Sequence, residues 1–116
     1  MQRPLQISFR GMESSPAIEE RIQERVGRLE RVFDRITSCH VTVEAPHQHH
    51  QKGRIFDVRI DLRVPGAELM TKHEGSHNHA HEDVYVALRD AFDAAERRLE
   101  DYAQRQAAHR EPREPG

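Results

Sequence analysis

Residues 56–64 read Phe56-Asp57-Val58-Arg59-Ile60-Asp61-Leu62-Arg63-Val64, with an apolar side chain at every even position and a charged one at every odd position. Successive side chains of a strand point to opposite faces, so this stretch predicts a β-strand with one packed face and one wet face. A half-wet strand belongs in antiparallel pairing, not in a sheet buried on both sides. Pro65-Gly66 then supplies a turn, and "AELMTKH" from Ala67 to His73 reads as a weaker fourth strand, because its alternation is poor. Upstream, Cys39, Val41, Val43 and Ala45 alternate with His40, Thr42 and Glu44, giving a strand that stops at Pro46. The polar "PHQHHQKG" joins it to residues 56–64 as a hairpin loop.

Outside these three strands lie one more strand and two helices. Leu5, Ile7 and Phe9 alternate with Gln6, Ser8 and Arg10, which predicts a first strand ending at Gly11. Ser15 reads as an N-cap with Pro16 at the first helical position, and Ile18, Ile22, Val26, Leu29, Phe33 and Ile36 recur at helical spacing, so a long amphipathic helix is expected over residues 16–36. From about Glu82 the period is helical again, with Val84, Leu88, Ala91, Phe92, Ala95, Leu99 and Tyr102 on one side out to about Arg105. The expected fold class is α+β in the order β-α-β-β-β-α, a four-stranded mixed sheet with two helices packed on one face. Strands 1 and 2 are expected to be parallel neighbours joined by a right-handed crossover. Residues 1–105 are expected to form one domain, and 106–116, with two prolines and no apolar residue beyond alanine, a disordered tail.

At 116 residues the chain holds one modest core. Its 18 Lys and Arg against 20 Asp and Glu give a net charge of −2, which argues against an indiscriminate nucleic-acid binder and leaves room for a local basic patch. No apolar run is long enough to span a bilayer, and "MQRPLQISFR" has no apolar signal core, so a soluble, cytoplasmic protein without a membrane partner is expected. The sequence holds no phosphate-cradling glycine loop, no nucleophile elbow and no helical HExxH; no enzymatic activity, cofactor or small-molecule substrate is expected. Cys39 reads as a small hydrophobe of the core. A thiol–imidazole pair with His40 is disfavoured, because neighbouring strand residues face opposite ways.

The first helix sorts its charges by sign. At 100° per residue, Arg21, Arg25, Arg28 and Arg35 fall within about 80° of one another beside the apolar stripe, while Glu19, Glu24, Glu30 and Asp34 lie on the far sides. Two readings stay open: a phosphate-contacting row, or arginines that cover the flank of the core with their stems and pair with nearby acids. In the second helix Arg98 and Arg105 share an edge, but the outward face carries Asp90, Asp93, Glu96, Glu100 and Asp101, with Arg89 and Arg97 interspersed. The four phenylalanines, Phe9, Phe33, Phe56 and Phe92, sit at core positions, so RNA binding would use phosphate and shape rather than base stacking.

The segment "HEGSHNHAHED" (73–83) holds four histidines and three carboxylates. Alternate spacing could bring His77, His79 and His81 to one side of an extended segment to chelate a divalent metal, with His73, Glu74 or Asp83 completing the site. That metal site is not favoured. The segment reads better as the connector between the fourth strand and second helix, with Asn78 or Asp83 as the cap. A third possibility is charge switching, since protonating all nine histidines would turn a net charge of −2 into +7. The open sheet face with Asp57, Arg59, Asp61 and Arg63 could also hold a regulatory protein.

Five stretches taken in order, "QISFRGM", "SPAIEERI", "RLERVFDRI", "DVRIDLRVPG" and "HEDVYVALRDAFDAAERRLEDY", resemble the ribosome hibernation-promoting factors, also called ribosome-associated inhibitors or sigma-54 modulation proteins. The likeness runs from about Leu5 to Arg105. It implies a protein that binds the small ribosomal subunit through its rRNA in the decoding region and holds ribosomes inactive when growth slows. The resemblance sets Arg25 and Arg28 at basic positions of the first helix and Arg97 at one of the second. With the row above, Arg21, Arg25, Arg28 and Arg35 are the expected rRNA contacts, with Arg97 and Arg98 in support. Where many members carry several lysines in the second helix, this chain has Ala94, Glu100, Asp101 and Ala103. The chain looks like the short type of the family, without the further domain that pairs ribosomes.

Overall fold

The computed structural model describes residues 5–45, 55–74 and 83–110, the side chains of 109 and 110 excepted. Six elements run along it: β1 (Gln6–Arg10), α1 (Pro16–Val32), β2 (Ser38–Glu44), β3 (Asp57–Val64), β4 (Ala67–His73) and α2 (Val84–Arg110). The strands stand in the order β1-β2-β3-β4, with β1 parallel to β2 and the other two pairings antiparallel. This is the mixed sheet that the alternation and the crossover predict.

Register follows the pleat. Ile7 pairs with Val41, Val41 with Ile60 and Ile60 with Thr71, so one row crosses the whole inner face. A shift of one residue would send Val58, Ile60, Leu62 and Val64 to the wet side, and their burial is what pins the pairing. Those residues join Ile18, Ile22, Val26 and Leu29 of α1 and Leu88, Phe92 and Leu99 of α2 in one core cluster, so both helices cover the same face. Fully burying side chains of this size contributes about 1.5–3 kcal/mol each against the entropy of ordering the chain.

Helix α1 starts where expected: the Ser15 side chain accepts a hydrogen bond from the Ile18 N–H at 3.2 Å, and Pro16 needs no acceptor. It stops earlier than the periodicity predicts. Phe33 is the C-cap, with φ −152° and ψ 120°, and its N–H donates to the Leu29 carbonyl at 3.0 Å. Asp34 and Arg35 form a turn that leads the chain back to β2. Phe33 and Ile36 are nonetheless buried, Phe33 meeting Tyr102 edge-to-face at 5.2 Å. A spacing of three suits a turn that returns to the core as well as it suits a helix, which is why the pattern predicted the burial and not the helix end.

Helix α2 begins at Val84, and Asp83 is its cap: the Asp83 carboxylate accepts from the Tyr85 N–H at 2.9 Å. The other candidate cap, Asn78, lies outside the described residues. The helix runs to Arg110, farther than its apolar stripe, because the last turns need no buried face once the backbone hydrogen bonds propagate. Between β3 and β4, Gly66 takes φ 81° after Pro65, the left-handed step that this tight turn requires. The Tyr102 hydroxyl donates to the Pro65 carbonyl and ties α2 to that turn.

Candidate nucleic-acid interface

The six arginines predicted as a site meet different fates. Arg25 is buried, at 8% exposure, and bridges the helices: Nη2 lies 2.7 Å from Asp93 Oδ1 and 3.4 Å from Glu96 Oε1. Its guanidinium carbon lies 5.5 Å from the centroid of Phe92, so the charge is covered by a ring as well as neutralised by acids. A guanidinium so enclosed is not presented to a phosphate outside, which corrects the expectation for Arg25. Replacing Arg25 by glutamate would therefore disturb the fold as well as the surface.

Arg28, one turn later, is half exposed, with Nε 3.2 Å from Glu96 Oε2. Arg21 is also half exposed; it lies 3.5 Å from Glu24 and over the Tyr85 ring at 4.9 Å from the centroid. Arg35, past the helix end, lies over the Phe33 ring at 5.2 Å. On α2, Arg97 is exposed and has no ion pair among the described residues. Arg98 is exposed too and donates to the Met70 carbonyl of β4 at 2.6 Å. The structure thus keeps Arg21, Arg28, Arg35, Arg97 and Arg98 accessible in the helical layer and removes Arg25.

Further residues join this layer. Arg31 is exposed in the last turn of α1 without an ion pair among the described residues, and Arg89 is exposed near the start of α2 beside Asp90. Tyr85 is half-buried at the second position of α2, an aromatic off the core stripe, and its place just after the cap is the sequence signal that could have found it. The partnering of Arg25 by Asp93 and Glu96 joins residues 68 and 71 positions apart. No local spacing contains it.

The thiol–imidazole pair is absent from the geometry. Cys39 is 1% exposed on the core face, whereas His40 Nε2 lies 2.9 Å from Ser8 Oγ on the open face. Burial pushes the Cys39 thiol up to about 12, with help from the negative charges of Asp61 and Glu30, so it stays protonated and unreactive. Of the four histidines of the metal alternative, His73 ends β4, and His77, His79 and His81 lie outside the described residues. Among the described residues no three His, Cys, Asp or Glu are arranged to hold a metal ion, and no helix is long and apolar enough to cross a membrane.

The fold and this arginine-bearing layer define a small α+β domain with exposed arginines in its helical layer. The family described as Sigma 54 modulation protein / S30EA ribosomal protein matches residues 5–107, and the chain belongs to it. A "Ribosome hibernation promoting factor" of Azotobacter vinelandii is 32% identical over 111 residues, covering 94% of this chain and 91% of the relative. A "Ribosome hibernation promotion factor" of Deinococcus radiodurans is 29% identical over 95% of this chain, which spans only 54% of that relative's length. The fold is shared with a ribosomal subunit interface protein from Coxiella burnetii, with a TM-score of 0.70 at 19% identity over 86% of this chain and 97% of that one. It is shared as well with the N-terminal domain of Thermus thermophilus Protein Y, at a TM-score of 0.65 and 21% identity, over 84% and 94% of the two chains.

Proposed function

We propose that this protein regulates translation in the cytoplasm by binding the small ribosomal subunit at rRNA of the decoding region, promoting ribosome hibernation under slow growth or stress. It does so as a binding protein, without catalysis, cofactor or small-molecule substrate. The observation that carries the reading is the set of exposed arginines on the helical layer of a domain of this family, Arg21, Arg28 and Arg35 from the α1 side and Arg97 and Arg98 from α2. Exposed guanidiniums suit phosphate oxygens, and each phosphate neutralised releases counterions, which makes the affinity salt-dependent.

Arg28 shares Glu96 with Arg25, so its charge is partly cancelled within the protein. Arg35 and Arg97 have no carboxylate partner among the described residues and should contribute more per residue. Replacing Arg35 and Arg97 together by glutamate is expected to abolish co-sedimentation with small subunits at physiological salt while leaving the thermal melt unchanged. Unchanged sedimentation would remove the helical arginines from the interface. The divalent-metal alternative on His73, His77, His79 and His81 has no specific observation in its favour.

A further inference from the structure

A shallow groove of about 270 Å³ opens where the start of α2 meets the middle of α1, lined by Arg21, Arg25, Tyr85, Val86, Leu88 and Arg89. One wall is apolar, from the half-buried Val86 backed by the buried Leu88, and the Arg21 guanidinium lies over the Tyr85 ring at 4.9 Å, with its side chain half exposed. Arg89 stands at the rim with 61% of its side chain exposed. Arg25 belongs to the same lining; its side chain is nine-tenths buried, and its Nε has no hydrogen-bond partner among the described residues. Asp93 and Glu96 neutralise that guanidinium from its other edge, so Arg25 closes the floor of the groove as a structural residue and the exposed charge of the site comes from Arg21 and Arg89.

We infer that this groove takes one unpaired nucleotide of an RNA strand, its base lying on the Arg21–Tyr85 pair and its phosphate reached by Arg89. The inference rests on the ribosome-binding reading and adds a contact to it. A guanidinium held over a ring is a platform for a nucleobase, because it offers a flat, weakly hydrated cation that a π-face can stack on. The apolar wall covers the edge of the base, and a volume below that of drug-sized clefts suits one base. The acids nearby do not close the site. Glu24 lies 3.5 Å from Arg21 and Asp90 3.1 Å from Arg89, pairs between well-exposed side chains of small worth that a phosphate can displace. Asp83 is engaged with the Tyr85 N–H as the helix cap. Base stacking thereby enters a surface whose phenylalanines had argued against it.

The test measures binding of the full chain to a six-nucleotide polyadenylate RNA and to a strand of equal length with abasic sugars, both at low salt. The wild type is expected to favour the adenylate strand by about 5- to 100-fold, the range that stacking of a single base spans. Arg21→Lys keeps the charge and loses the plane, and Tyr85→Leu loses the ring; both should bring that ratio close to one, and Tyr85→Phe should restore it. A wild type that binds both strands equally, or binds neither, overturns the inference. So does an Arg21→Lys protein with the wild-type ratio, a surface change that leaves folding intact. Co-sedimentation with small subunits decides the parent reading separately. If it fails while the base-dependent ratio stands, the ribosomal target falls and the groove survives; if it succeeds without base dependence, the groove alone falls.

Discussion

On the open face of the sheet, charges pair with neighbours on the same or the adjoining strand: Arg59 with Asp61 at 3.6 Å, Arg63 with Glu68 at 3.9 Å, and Lys72 with Glu74 at 3.0 Å. At the seam between the helices they pair across the fold, Arg25 with Asp93 and Glu96, and Arg28 with Glu96. Both regions have comparable numbers of opposite charges close together, yet burial separates them. The carboxylate of Glu96 is 15% exposed and the Arg25 side chain 10%, while the arginines and lysine of the sheet face are at least half exposed. Water screens the sheet pairs and leaves them worth little. Of the seam pairs, Arg25–Glu96 has lost most of that water on both sides, so removing one partner strands the other, whereas Asp93 and Arg28 keep about half of their exposure.

The largest effect is expected from emptying the core beneath the seam. Phe92 is fully buried and carries Arg25 on its ring, so Phe92→Ala should cost about 3–5 kcal/mol in denaturant unfolding. Arg25→Ala should follow with about 2–4 kcal/mol, since Glu96 loses one of its two cationic partners in a buried setting. If Arg25→Ala costs no more than Arg59→Ala, the contrast between seam and sheet face is wrong. A replacement of both Arg25 and Glu96 by apolar residues should recover part of the loss, the sign that much of it comes from a stranded charge.

A titration probes burial from another direction. The thiol of Cys39 is held up to about 12 in the folded protein against an ordinary value of 9.0, so the unfolded chain loses that proton first as pH rises. The stabilisation is complete below pH 9 and declines as pH climbs towards 12, by at most about 1.4 kcal/mol per pH unit. Stability curves of the wild type and Cys39→Ala should therefore converge above pH 9; parallel curves would mean that the thiol is solvated. The smallest effect belongs to the sheet face. Arg59→Ala should shift stability by no more than about 0.5 kcal/mol, and added salt should erase what difference there is.

Much of this fold is legible in the chain. The alternation of Phe56–Val64 gives β3 its inner face, Ser15-Pro16 gives α1 its start, and Asp83 gives α2 its cap, each through contacts within a few residues. The end of α1 was not legible, because Phe33 and Ile36 keep a helical spacing while the backbone turns away to enter β2. The candidate interface was legible only as a list. The helical wheel places Arg25 and Arg28 in one row, and the same row in the folded protein holds a buried staple and a half-exposed cation.

The sequence alone determined the order of elements, the faces that pack and the presence of arginines beside the stripe of α1, because periodicity and capping act over distances of a few residues. Which of those arginines meet solvent was decided by the tertiary structure. Asp93 and Glu96 come from a helix about 70 residues away, and only the packing of both helices on one sheet face sets them against Arg25 and Arg28 while leaving Arg21 on the Tyr85 ring.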